Sequence, residues 1–106
     1  MGFPTINQPV PRDVKNDEWG IYFSITKIDR RVFASLTHLG PPSTFGLKRA
    51  TCETYILKFP DRALATSEIT VKLLLKFREI EAFPTIAKLK KQIRLDVKLA
   101  KKFFHL

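Results

Sequence analysis

The sequence predicts an α+β fold, a small antiparallel sheet with C-terminal helices packed on one face. Three observations carry that expectation. Residues 20–28, Gly-Ile-Tyr-Phe-Ser-Ile-Thr-Lys-Ile, alternate with the two-residue period of a strand. Residues 85–104 repeat apolar side chains with the 3.6-residue period of a helix. The 106 residues, 44% hydrophobic with nine Phe, suffice for one core and one domain.

The elements follow in order. Residues 1–18 carry Pro4, Pro9 and Pro11 without apolar periodicity and read as an extended Pro-containing N-terminal arm. A single α+β domain over 19–106 is expected to follow. In the first strand Ile21, Phe23 and Ile25 face one way and Tyr22, Ser24 and Thr26 the other. Residues 30–39 fit two elements. As a helix, Asp29 caps it, Val32, Leu36 and Leu39 form its stripe, and Gly40 follows it. As a strand, Val32, Ala34 and Leu36 alternate behind a turn at Asp29-Arg30. The pattern tips slightly to the helix, and Gly40-Pro41-Pro42 ends either element.

Residues 50–59 put Tyr55, Leu57 and Phe59 on one face, a second strand ended by Pro60-Asp61. Thr66 or Ser67 then caps an expected helix carrying Leu73, Phe77, Ile80 and Phe83, which stops before Pro84. Val71, Leu73, Leu75 and Phe77 also alternate, but leucine-rich composition favours helix. The last segment, from Thr85 to about Phe104, stacks Ile86, Leu89, Ile93, Val97, Ala100 and Phe104. Ile93, Leu95, Val97 and Leu99 alternate too; length and the content of Lys, Leu and Ala decide for helix.

Charge is the loudest signal. Nineteen Lys and Arg against ten Asp and Glu give a net charge of +9. Residues 1–71 hold nine cations and seven acids, whereas residues 72–106 hold ten and three. At about 100° per residue, Lys90, Lys91, Arg94, Lys98, Lys101 and Lys102 fall on one arc of the last helix, uninterrupted by an acid. Asp96 lies elsewhere, beside a second apolar stripe of Leu95, Leu99, Phe103 and Leu106. A helix so divided is expected to be gripped on two sides, with Leu95, Leu99 and Phe103 meeting a neighbour or another chain. A plain solvated face is the bland alternative, but such faces usually interleave both signs.

The expected function follows from that arc. It is non-enzymatic RNA binding within a ribonucleoprotein assembly, the six cations contacting phosphates. Lysine acts as a point charge, which suits backbone contact better than base reading. Arg30-Arg31 and Lys48-Arg49 could add phosphate contacts. The alternative is a protein–protein adaptor or assembly subunit, or a homo-oligomer, docking on an acidic partner or an anionic membrane surface.

Catalytic and metal signatures are absent from the pattern. His38 and His105 have no partners at ligand spacing, so neither a metal site nor a cofactor is expected. Cys52 reads as an inert thiol, although a Cys52–His38 pair is conceivable. Trp19, Tyr22 and Tyr55 read as core or rim residues rather than a stacking platform. A single Cys, no apolar run of membrane-spanning length and no evident signal or transit peptide lead to an expected intracellular, reducing compartment.

Overall fold

The structure is a computed structural model that describes residues 5–11, 13–41, 50–58 and 68–106. Its elements are β1 (Thr5–Gln8), β2 (Gly20–Ile28), β3 (Arg31–Gly40), β4 (Thr51–Ile56), β5 (Ile69–Arg78) and α1 (Ile86–Phe103). A short 3-10 turn, Asn16–Glu18, precedes β2. The strands form one five-stranded sheet in the order β1-β4-β3-β2-β5, every neighbouring pair antiparallel. The α+β class stands, with a correction: among the described residues there is one α-helix, not several.

Two expected helices are strands. Residues 31–40 pair along their whole length with β2, from Ile28↔Arg31 to Gly20↔Leu39. A two-residue loop of Asp29 and Arg30 closes the hairpin, and Asp29 takes a φ of 55°, which Asp tolerates better than most side chains. Residues 69–78 pair with the other edge of β2 through two register shifts. In both segments the helical spacing was real, but long-range ladder bonds and β-branched residues overrode it. Thr66, Ser67, Phe59, Pro60, Asp61, Lys48 and Arg49 lie outside the described residues. Within the expected arm, Thr5–Gln8 forms an edge strand on β4, with Ile6 buried.

Helix α1 covers one face of the sheet. Thr85 caps it, its hydroxyl accepting from the Lys88 N–H at 3.2 Å. Val97 and Ala100 bury against Phe23, Leu36 and Leu57, with Ile93, Phe104, Phe77 and Tyr55 around them. The Phe23 ring is held between Phe77, at 4.2 Å and 10°, and Phe103, at 4.4 Å and 23°. Fully burying a side chain such as Phe23 or Leu36 contributes about 1.5–3 kcal/mol.

The other face is also closed, without a helix among the described residues. Ile6, Ile28, Phe33 and Ile56 pack there with Ile69. Beside them Ser24, Thr26, Ser35, Thr37 and Thr54 are wholly buried. Their hydroxyls satisfy one another: Thr26 donates to Ser35 at 2.8 Å, Ser35 and Ser24 share 2.7 Å, Thr37 donates to Ser24 at 2.9 Å, and Thr54 meets Thr37 at 2.9 Å. The sheet is rolled, because one cleft is lined at once by Gln8 of β1 and by Ile69, Val71 and Leu73 of β5. Gly40, where β3 ends, has a φ of +131°, and a Cβ there would come within 2.5 Å of Ile80 and 2.9 Å of Trp19. Among the described residues no helix is long and apolar enough to cross a membrane.

Candidate functional site

Strand register assembles one row of side chains across the helix-bearing face. Asn7 of β1 pairs with Glu53 of β4, Glu53 with His38 of β3, His38 with Ile21 of β2, and Ile21 with Arg78 of β5. The next same-face row is Thr5, Tyr55, Leu36, Phe23 and Leu75. Cross-strand neighbours stand only about 4.5–5.5 Å apart at Cβ, so these rows bring together residues from all five strands.

Helix α1 roofs the rows and leaves a cleft of about 110 Å³. Its apolar walls are Ile21, Leu36, Leu89 and Ile93, and its polar ones include Thr51, Glu53, His38 and Tyr55. Arg78 and Asp96 close one side. Their charges are spent on each other: Arg78 Nε donates to Asp96 Oδ1 at 2.9 Å and Nη2 to Oδ2 at 2.6 Å. Gln92 Nε2 adds a bond to Asp96 Oδ1 at 2.9 Å, and Arg78 Nη1 donates to the Glu79 carbonyl at 3.0 Å.

Glu53 is different. It is half-buried in the cleft, and no cation pairs with it among the described residues. Tyr55 stands two residues along the same face; burial first, and the charge of this carboxylate second, push the Tyr55 phenol up to about 12. Tyr55 is therefore a donor at neutral pH. His38 Nε2 stands 2.6 Å from the Pro41 carbonyl, which can only accept, so Nε2 is the donor in this contact.

Sequence reasoning missed Glu53 and Asn7. The signal for Glu53 was present: it shares the strand face of Tyr55 and Leu57, so it sets a carboxylate into an otherwise core-facing run. Asn7 gave no such signal, because its place beside Glu53 depends on β1 reaching β4. The conceivable Cys52–His38 pair is ruled out, since the register Leu39↔Cys52 and His38↔Glu53 puts the two on opposite faces. Burial raises the Cys52 thiol pKa, keeping it protonated near neutrality. Tyr22 and Tyr55 likewise lie on opposite faces, and the Tyr22 hydroxyl donates to the Glu18 carbonyl. Among the described residues no group of three His, Cys, Asp or Glu could hold a metal ion.

The six expected cations do lie on a helix. Lys90, Lys91, Arg94, Lys98 and Lys102 are exposed and Lys101 is half-buried, none paired with an acid among the described residues. Leu95 and Leu99 are about half exposed, at 49% and 51%. Phe103 is 42% exposed although its ring stacks on Phe23.

A family model described as Flavokinase: Riboflavin kinase matches residues 1–104. The chain belongs to the flavokinase family. That membership overturns the expectation of a non-enzymatic, RNA-binding ribonucleoprotein component, because the family is one of enzymes acting on a flavin. The cationic arc misled because clustered lysines report net field, not the identity of a ligand. Among curated relatives, the Trifunctional protein RibF/MnmA of Mycoplasmoides gallisepticum is 30% identical over 105 residues. The match covers 99% of this chain and 16% of that protein. Among solved structures, a Streptococcus pneumoniae chain described as a macrolide-efflux protein superposes with a TM-score of 0.73 at 22% identity. It covers 94% of this chain and 33% of that one, and shows a shared fold alone. The flavokinase chain thus spans a sixth of the curated relative and a third of the solved chain it matches.

Proposed function

We propose that this chain phosphorylates riboflavin, moving the terminal phosphoryl group of a nucleoside triphosphate to the primary hydroxyl of the ribityl side chain. The observation that carries this reading within the family is Glu53, the cleft carboxylate left without a cation. Phosphoryl transfer to an alcohol needs a positioned acceptor for the hydroxyl proton, and the rest is orientation and charge stabilisation. Asp96 cannot serve, since Arg78 and Gln92 occupy its oxygens.

In the step itself the ribityl oxygen forms a bond to the terminal phosphorus as the bond to the bridging oxygen breaks. The nucleoside diphosphate leaves and the hydroxyl proton passes to Glu53. Tyr55, protonated and two residues along the same face, is placed to orient the Glu53 carboxylate. The apolar walls Ile21, Leu36, Leu89 and Ile93 suit the flat flavin ring and exclude water around it. A phosphate-bound Mg²⁺ takes only one or two protein oxygens, and the Asn7 amide opposite Glu53 and the Thr5 hydroxyl opposite Tyr55 are donors of that kind. Bound there, the ion would neutralise phosphate charge. Reaction with a nucleotide, and a bacterial relative, support an intracellular setting.

The test is direct. The purified chain, given riboflavin and Mg·ATP, should form the flavin monophosphate and ADP. Glu53→Gln should lower kcat by about 10²–10⁴-fold while flavin binding and circular dichroism stay unchanged. A wild-type chain that binds flavin but yields no phosphate ester would remove this reading.

A further inference from the structure

We infer that Lys90 and Arg94 form a cationic approach for the polyphosphate of the donor nucleotide. This rests on the flavin-phosphorylating reading of the cleft and assigns a part to cations that reading leaves idle.

The first observation is the rotation of α1, which two contacts set independently. Asp96 is tied to Arg78 on β5, and Phe103 stacks on Phe23 of β2, itself stacked on Phe77 of β5. The flank holding Asp96 and Phe103 therefore faces the β2–β5 side of the sheet. At about 100° per residue, Arg94 and Lys90 stand about 160° and 120° round the helix from Asp96. They belong to the flank on the β4–β1 side, where Glu53, Asn7 and Thr5 lie. Along the axis they are level with the cleft, because their immediate neighbours Leu89 and Ile93 line it.

The second observation is the polarity of the cleft. A flavin ring against Ile21, Leu36, Leu89 and Ile93 takes the apolar side, so the donor must reach Glu53 from the other. That other side presents Thr5 and Asn7, both exposed. A nucleoside triphosphate carries several negative charges, and its approach is favoured where cations are unpaired. Lys90 and Arg94 are both exposed and have no acidic partner among the described residues. The only acid on α1, Asp96, points the opposite way and is already neutralised.

The test compares three proteins: wild type, Lys90→Gln/Arg94→Gln, and Lys98→Gln/Lys102→Gln. The second pair removes the same charge about 12 Å further along the helix, more than the Debye length of about 8 Å at physiological salt. Steady-state phosphorylation of riboflavin by Mg·ATP is measured from low to high salt. The cleft-level pair should raise the KM for ATP about three- to tenfold at physiological salt, where the distal pair is screened from the cleft, and flatten its salt dependence. The KM for riboflavin and kcat should stay within twofold, and at physiological salt the distal pair should match wild type. Equal effects from both pairs would mean a diffuse field, and no effect from either would mean an idle solvated face; each result overturns the inference. If wild type forms no flavin phosphate, the functional reading fails by itself. Calorimetric binding of Mg·ATP to the same three proteins then still decides whether Lys90 and Arg94 receive the phosphates.

Discussion

Arg78 on β5 and Asp96 on α1 meet fork to fork, with two parallel bonds of 2.9 and 2.6 Å. The pair lies in the wall of the cleft, the Asp96 side chain 4% exposed and that of Arg78 17%. It does more than join a strand to a helix. The helix carries apolar residues on two sides, and either could have been turned toward the sheet. The buried carboxylate selects one rotation, because only there does it find the Arg78 guanidinium; the Gln92 amide, one turn away on the same helix, turns with it. That rotation sends Leu89 and Ile93 into the cleft and the lysines outward.

Removing one member of this pair should cost far more than removing both. Asp96→Ala leaves a guanidinium without its counter-charge and should lower stability by about 3–5 kcal/mol. Arg78→Met/Asp96→Leu should recover much of the loss, a coupling that urea unfolding of the two single variants and the double variant would measure. Additive losses would show that the pair carries no joint energy.

Tyr55 should mark the alkaline limit of the fold. Its phenol, near 10.0 in the unfolded chain, is pushed up to about 12 by burial and then by Glu53. The folded state thus favours the protonated form. This contribution to stability is fully present below pH 10 and is lost as pH rises from about 10 toward 12. Ultraviolet titration should show one tyrosine ionising late, and Tyr55→Phe should flatten the stability profile in that window. An unchanged profile would mean that Tyr55 ionises freely in the folded state.

The hydroxyl chain under the sheet gives a third expectation. Thr37 sits at its centre, between Ser24 and Thr54. Thr37→Val keeps the shape but leaves the buried Thr54 hydroxyl without its partner, while Ser24 retains Ser35, at a cost of about 1–3 kcal/mol in thermal or chemical unfolding. Since the chain lies on the face away from Glu53, riboflavin phosphorylation at low temperature should be unaffected. A neutral Thr37→Val would indicate that water replaces the lost partner.

Legibility varied with the range of the interactions involved. The alternation of Ile21, Phe23 and Ile25 and the start of the last helix at Thr85 are local features, and both appear as read. Residues 31–40 and 69–78 were ambiguous because helical and strand spacings coexist in them, and the tie is broken by β2, which lies between them in the sheet. The alternation set Ser24 and Thr26 opposite Ile21, Phe23 and Ile25, on the more polar face of the strand. That face is buried, because the sheet rolls and supplies each hydroxyl with another. Glu53 was legible only as an oddity among apolar neighbours, and the cationic arc drew attention to chemistry the family does not have.

The sequence by itself determined the mixed class, the first strand, the final helix and the concentration of cations on it, all set by neighbours within a few residues. The tertiary structure alone decided that Asn7, Glu53, His38, Ile21 and Arg78 stand in one row. Each comes from a different strand, and strand pairing is chosen by the burial and hydrogen bonding of whole segments at once, which no short window of residues encodes.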